Sequence, residues 1–217
     1  MILTLEQLGN FGMLEKLSDI FNKHNCDKTA KHGYHKVYGP DFEKIRDKPI
    51  NILEIGIFNG DSLKAWLDYF PEATVYGIDV FKRIASADVP ILEHERVKYL
   101  KGDSTNPVIK TQIMKEWPRT RFDIIIDDGM HTPSANAKTL ENLYPLLKKN
   151  GRMYIEDVWP IDLMTTAEMN HPWMLKHPDR YNILEQNKLT AALQGKDIQR
   201  FDLRGAHEPD SYIISVG

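Results

Sequence analysis

Ile50-Asn51-Ile52-Leu53-Glu54-Ile55-Gly56-Ile57-Phe58-Asn59-Gly60 is the stretch that decides the fold. Its first six residues are mostly β-branched or apolar and read as a buried strand. The glycines beyond them read as a turn, and residues 62–69 as the helix that turn opens. Working outward, residues 73–79 form a second strand ending in Asp79, residues 96–100 a third, and residues 122–127 a fourth, with a helix over 107–117 between the last two. Thr132-Pro133 combines an N-cap with a proline at the first helical position. It opens a helix that carries Leu140, Leu143 and Leu147 on one face and stops at Asn150-Gly151. Residues 152–156 are then strand five. Such alternation predicts an α/β domain with a mainly parallel sheet covered by helices on both faces. Residues 197–203 and 211–216 alternate polar and apolar around Gly205-Ala206-His207-Glu208-Pro209, which adds a C-terminal antiparallel hairpin and brings the sheet to seven strands.

The flanks are less regular. Residues 1–48 form an N-terminal helical or cap segment ahead of the main domain at 49–217. Leu5, Leu8, Leu17, Ile20 and Phe21 fall at helical spacing in it. His24, His32 and His35 lie in the polar stretch 22–38, without an established metal-ligand spacing. Residues 158–195 exceed a simple crossover and carry Trp159, Met164, Met169, Trp173 and Met174. A lid over the acceptor and a subdomain that only packs are both open readings.

A chain of 217 residues suits one such domain. Its 41% hydrophobic and 27% charged residues are ordinary for a globular protein and indicate neither disorder nor a membrane protein. Net charge is -3 and no long basic cluster occurs, so a small-molecule acceptor is expected and a nucleic-acid partner is not. Cys26 stands alone, which rules out an intramolecular disulfide and a cysteine zinc cage and agrees with a reducing compartment. No basic start with an apolar run opens the sequence, and no stretch approaches the roughly 20 apolar residues of a membrane span. The cytoplasm is therefore the expected location, without a membrane partner; a homo-oligomer is left open.

In open parallel sheets, ligands bind beyond the carboxyl ends of the strands where the strand order reverses. Strand one ends in Glu54-Ile55-Gly56-Ile57-Phe58-Asn59-Gly60, where glycine lets backbone approach a ligand. Asp79 closes strand two, where a carboxylate can accept hydrogen bonds from both ribose hydroxyls of an adenosine. Asp103 and Ser104 follow strand three, where an acid and a hydroxyl can address the adenine edge. Neither a G-x-G-x-x-G turn nor a phosphate-binding loop is present, which argues against a dinucleotide or nucleotide triphosphate. Leu53-Glu54-Ile55-Gly56, Gly77-Ile78-Asp79, Gly102-Asp103-Ser104 and Phe122-Asp123-Ile124-Ile125-Ile126-Asp127 resemble the successive motifs of class I S-adenosylmethionine-dependent methyltransferases over residues 49–157. The resemblance implies their Rossmann-like fold, a glycine loop beside the methionine part of S-adenosylmethionine at Gly56, and ribose binding at Asp79. With Glu54, Asn59, Asp103, Ser104 and Asp127, these are the expected cofactor-binding residues.

Asp127-Asp128-Gly129-Met130-His131 follows strand four and Glu156-Asp157 follows strand five. Adjacent strands lie about 4.8 Å apart, so these acids can converge, and converging carboxylates repel unless a cation joins them. An all-oxygen set favours Mg2+, or Mn2+, over zinc. Asp128, Glu156 and Asp157 are the expected ligands and His131 the expected base. Neighbouring residues of a strand face opposite ways, so Glu156 and Asp157 can share an ion only if the chain leaves extended geometry there. A tight turn at Asp128-Gly129 leading into a capped helix is the plain structural alternative. The same residues resemble the metal-dependent sugar O-methyltransferases that modify macrolide antibiotics, whose pattern is Asp-Asp-Gly-Ser-His followed by Glu-Asp. His32-Gly33-Tyr34 resembles that group too, whereas Met130 replaces its serine. The resemblance implies an O-methyltransferase acting on a hydroxyl of a sugar or small glycosylated metabolite. The competing expectations are a metal-independent methyltransferase and a non-catalytic S-adenosylmethionine-binding module.

Overall fold

The structure, a computed structural model, describes residues 15–217; the expected helical positions Leu5 and Leu8 lie outside them. Two short helices, α1 (Leu17–Lys23) and α2 (His35–Phe42), precede β1 (Asn51–Ile55), α3 (Asp61–Tyr69), β2 (Thr74–Asp79), β3 (Val97–Lys101) and α4 (Val108–Glu116). Then come β4 (Phe122–Asp127), α5 (Pro133–Leu143), β5 (Leu147–Ile155), α6 (Thr166–Met169), α7 (Pro172–Lys176), α8 (Ile183–Leu193), β6 (Ile198–Asp202) and β7 (Tyr212–Val216). The seven strands form one sheet in the order β3-β2-β1-β4-β5-β7-β6. Strands β1 to β5 are parallel, and β7 pairs antiparallel with both β5 and β6. The order reverses between β1 and β4, which makes the carboxyl edge of those strands the place for a ligand.

Side-chain alternation divides the core in two. Ile52, Val75, Ile124, Ile126 and Tyr154 pack under α1, α2 and α3 with Phe21, Tyr38, Phe42, Trp66 and Phe70. Their strand neighbours Leu53, Tyr76, Ile78, Ile125 and Met153 face α4, α5 and α8, represented by Ile109, Ile113, Leu140, Leu143 and Leu189. Burial on both faces explains why β1 and β4 read as continuous apolar runs. The N-terminal helices are thus part of the main core: the ring of Tyr38 meets Trp66 edge-on at 5.8 Å and Tyr154 at 5.0 Å.

One expectation is corrected. The helix opened by Thr132-Pro133 ends at Leu143, not at Asn150, and a 3₁₀ turn over Tyr144–Leu146 replaces its last turn. Pro145 is the cause: it has no amide hydrogen to donate, and its ring would collide with the carbonyl four residues back. Leu147 therefore starts β5 rather than lining a helix. The β4–β5 pairing then jumps from Phe122↔Leu147 to Ile124↔Arg152, so residues 148–151 bulge, with Asn150 at φ 69°.

Residues 158–195 hold three helices. Trp159, Ile161, Met174 and Tyr181 make a small core of their own, with Met164 and Met169 packed against it. Arg200 and Arg204 of the hairpin region pair with Asp162 at 3.2 Å and Glu168 at 3.1 Å, tying this segment to the sheet edge. Among the described residues, no helix is long and apolar enough to cross a membrane.

Candidate active site

The switch point is aligned by backbone register. Ile55 lies opposite Asp127, and Asp127 opposite Ile155. The amide of Asp128 donates to the Ile55 carbonyl and that of Glu156 to the Asp127 carbonyl, both at 3.0 Å, so residues 56, 128 and 156 leave the sheet together. Gly56 is required there. Its φ is 91°, and a β-carbon on it would lie 2.0 Å from the Asp128 carbonyl oxygen.

Asp79 holds the turn after β1. Its Oδ2 accepts the amides of Ile57 (2.8 Å) and Phe58 (3.1 Å), and its Oδ1 accepts that of Phe81 (2.6 Å). An ionised carboxylate offers about four acceptor positions, so three backbone amides leave it room for a further donor. Asn59 bridges to Asp61 at 2.6 Å and is exposed beside Phe58. Asp103 accepts from the amide (2.9 Å) and hydroxyl (2.7 Å) of Thr105 and so caps its own turn. Ser104 is buried with its hydroxyl 2.8 Å from that of Thr139, so this hydroxyl already has a partner in the fold.

Beneath the rim lie two fully buried acids. Asp127 accepts from Asn136 Nδ2 at 3.0 Å, and burial pushes its pKa up to about 6. Glu54 accepts from the indole N–H of Trp66 at 2.9 Å; burial, against the opposing pull of Lys28, pushes it up to about 7.

The acid cluster converges, and not quite as its spacing suggests. His131 Nε2 lies 3.5 Å from Asp128 Oδ1 and 3.8 Å from Asp157 Oδ2. One ligand atom from each of the three lies within 4.8 Å of the others, the only such group among the described residues. Both loops depart from extended backbone to achieve this, with His131 at φ 53° and Asp157 at φ 51°. Asp157 thereby turns away from its neighbour, so the two consecutive acids, both expected as ligands, do not meet at one point. Glu156 faces inward: Tyr38 Oη donates to its Oε1 and Lys28 Nζ to its Oε2. Burial and the acids around it hold its pKa well above the ordinary carboxylate range, even against Lys28. Burial alone would raise Asp128 as well, but Lys28 and His131 outweigh it and hold this carboxyl below its usual range.

Four residues of the N-terminal segment complete the site, and sequence reasoning did not single out three of them as site residues. Lys28 Nζ donates to Asp128 Oδ2 at 2.7 Å, and Tyr34 Oη donates to Asp157 Oδ1 while accepting the Asp157 amide at 3.1 Å. Tyr38 is the third, and His32, the one already weighed as a ligand, stands behind Asp157 with its Nδ1 2.9 Å from Ser211 Oγ. The sequence signals for this segment were the resemblance carried by His32-Gly33-Tyr34 and the spacing of Tyr34 and Tyr38, one helical turn apart.

This layout can be set beside known proteins. A family described as a methyltransferase domain matches residues 53–158. The match takes in just under half of the chain and agrees with the strand-end motifs that resemble class I S-adenosylmethionine-dependent methyltransferases. Around that domain, the chain is 30% identical over 145 residues to 8-demethyl-8-(2-methoxy-alpha-L-rhamnosyl)-tetracenomycin-C 3'-O-methyltransferase of Streptomyces olivaceus, covering 63% of this chain and 35% of the relative. It is 27% identical over 151 residues to mycinamicin VI 2''-O-methyltransferase of Micromonospora griseorubida, covering 66% and 36%. The chain thus spans about a third of the length of these curated relatives. In fold, the chain superposes on MycE methyltransferase of the mycinamycin biosynthetic pathway, solved in complex with Mg and SAH. The TM-score is 0.67 at 21% identity, with 93% of this chain and 54% of that one covered. A Podospora anserina methyltransferase, PaMTH1, matches across 100% of this chain and 97% of its own at TM-score 0.60 and 17% identity.

Proposed function

We propose that the chain is an S-adenosylmethionine-dependent O-methyltransferase that works with a divalent cation, Mg2+ in preference to Mn2+, on a hydroxyl of a sugar or small glycosylated metabolite. One observation carries this reading: Asp128, His131 and Asp157 meet at the carboxyl edge of β4 and β5, directly beside the Gly56 turn. The relatives named for methylating rhamnosyl and mycinamicin hydroxyls support the acceptor class.

The residues present suit such a cation. Asp128 and Asp157 would hold it through hard oxygen donors, with Glu156 next to them and His131 within ligand distance. His131 Nδ1 is buried without a protein partner, so the ring is not committed to the fold. A bound divalent cation lowers the pKa of a coordinated hydroxyl and fixes its oxygen. S-adenosylmethionine supplies a sulfonium methyl to an oxygen nucleophile. Asp79, Gly56 and Asn59 would seat it, Asp79 through ribose hydroxyls, while the buried Glu54 and Asp127 shape the floor. His131 would then act as base rather than ligand, taking the acceptor proton at Nε2. Phe58, Met130 and Trp173 expose apolar surface, and segment 158–195 is the candidate cover for the acceptor.

A metal-independent reading has one observation in its favour, since Lys28 already neutralises two of the acids. Methyl transfer assayed under chelator and then with added Mg2+ decides between them. Loss under EDTA with recovery by Mg2+ is expected; turnover indifferent to both would sink the metal reading. Absence of S-adenosylhomocysteine binding would sink the enzyme reading altogether.

A further inference from the structure

Lys28 lies in the polar link between α1 and α2, outside the residues that match the methyltransferase family. Yet its side chain is only 1% exposed, and its ammonium touches acids from three strand ends: Asp128 Oδ2 at 2.7 Å, Glu156 Oε2, and Glu54 Oε1 at 3.5 Å. A lysine is almost never fully buried unless paired, and here the pairing is threefold. The contacts are also divisive. By taking Oδ2 of Asp128, Lys28 leaves Oδ1 facing His131 Nε2. Together with the Tyr38 hydroxyl it takes one oxygen each from Glu156 and turns that side chain inward.

Without Lys28 the site would hold Glu54, Asp128, Glu156 and Asp157 with no other lysine or arginine paired to them among the described residues, only the His32 and His131 rings beside Asp128 and Asp157. Like charges at such separations in a poorly hydrated pocket oppose folding. We propose that Lys28 is a positioning residue for the acceptor site, a built-in cation that holds Asp128 and Glu156 in place before any metal arrives and then shares these acids with the divalent ion. The ammonium makes the fold independent of metal and leaves the Asp128–His131–Asp157 side of the cluster open for the ion. The second half of this inference rests on the metal reading above.

The experiment compares thermal melts of wild type and Lys28→Met, which keeps an unbranched side chain one atom shorter and removes its charge, in EDTA and across a Mg2+ titration. In EDTA the variant is expected to melt roughly 10 °C lower, the scale for stranding a buried charge in a chain of this size. Mg2+ should raise its melting temperature several times more than it raises that of wild type, because the ion supplies the missing charge. Adding Glu156→Gln to Lys28→Met removes the stranded carboxylate and should recover most of the loss in EDTA. If Lys28→Met does not fold in EDTA, the double variant carries the same comparison. Melting equal to wild type in EDTA would overturn the proposal, as would a loss that neither Mg2+ nor Glu156→Gln repairs, since simple packing would behave that way. If Glu156→Gln restores stability while Mg2+ shifts neither protein, the positioning role stands and the metal reading falls.

Discussion

His131 and Asp128, three residues apart in one loop, face each other with Nε2 3.5 Å from Oδ1, because the left-handed backbone of His131 turns its ring back over the strand end. A proton accepted at Nε2 is therefore received beside a carboxylate. His131→Ala is expected to lower kcat by about 10²- to 10⁴-fold, the usual range for a general base. S-adenosylhomocysteine affinity measured by calorimetry should stay within error of wild type. Turnover retained by the variant would remove His131 from the proton path.

Asp79 serves two ends at once. Its carboxylate organises the turn after β1 through the Ile57 and Phe58 amides, and it is the acid proposed to bind ribose. Asp79→Ala should weaken S-adenosylhomocysteine binding by roughly 10- to 100-fold, corresponding to one or two lost charge-assisted hydrogen bonds. An unchanged dissociation constant would reject the ribose assignment.

The frame of this fold was legible because the central parallel strands are buried on both faces: β1, β2 and β4 announce themselves as apolar runs ending in Gly56, Asp79 and Asp127. Strand β5 was legible only at its end, since Leu147 keeps a helical spacing that Pro145 overrides. The acids after β4 and β5 could be read from strand ends alone. Their division could not, because it depends on Lys28 and Tyr38, which reach Asp128 and Glu156 across 100, 128 and 118 residues of chain. Nothing local in the 22–38 stretch encodes that contact; it follows from how α1 and α2 pack on α3.

Gly56 tests the turn itself. Alanine there would need a left-handed φ and would drive its β-carbon into the Asp128 carbonyl, which is backbone and cannot rotate aside. Gly56→Ala should cost about 3 kcal/mol in urea unfolding, adding backbone strain to the overlap. A loss below about 1 kcal/mol would mean that the β1 and β4 exits separate easily.

Glu54 gives the pH test. Burial lifts its folded pKa to about 7 from an ordinary value of 4.5, so between those limits the folded state holds a proton that the unfolded state has released. Stability from this group is fully present below pH 4.5 and is lost as pH rises through about 7. The loss is on the order of 3 kcal/mol when a shift of this size is integrated. Glu54→Gln keeps an acceptor for the Trp66 indole but cannot ionise. In EDTA, the unfolding free energy of wild type minus that of Glu54→Gln should therefore fall from pH 5 to about pH 7 and level off above it. A difference that stays flat over that range would mean that the Glu54 carboxyl is ionised in the folded state as it is in the unfolded one, with Lys28 outweighing burial.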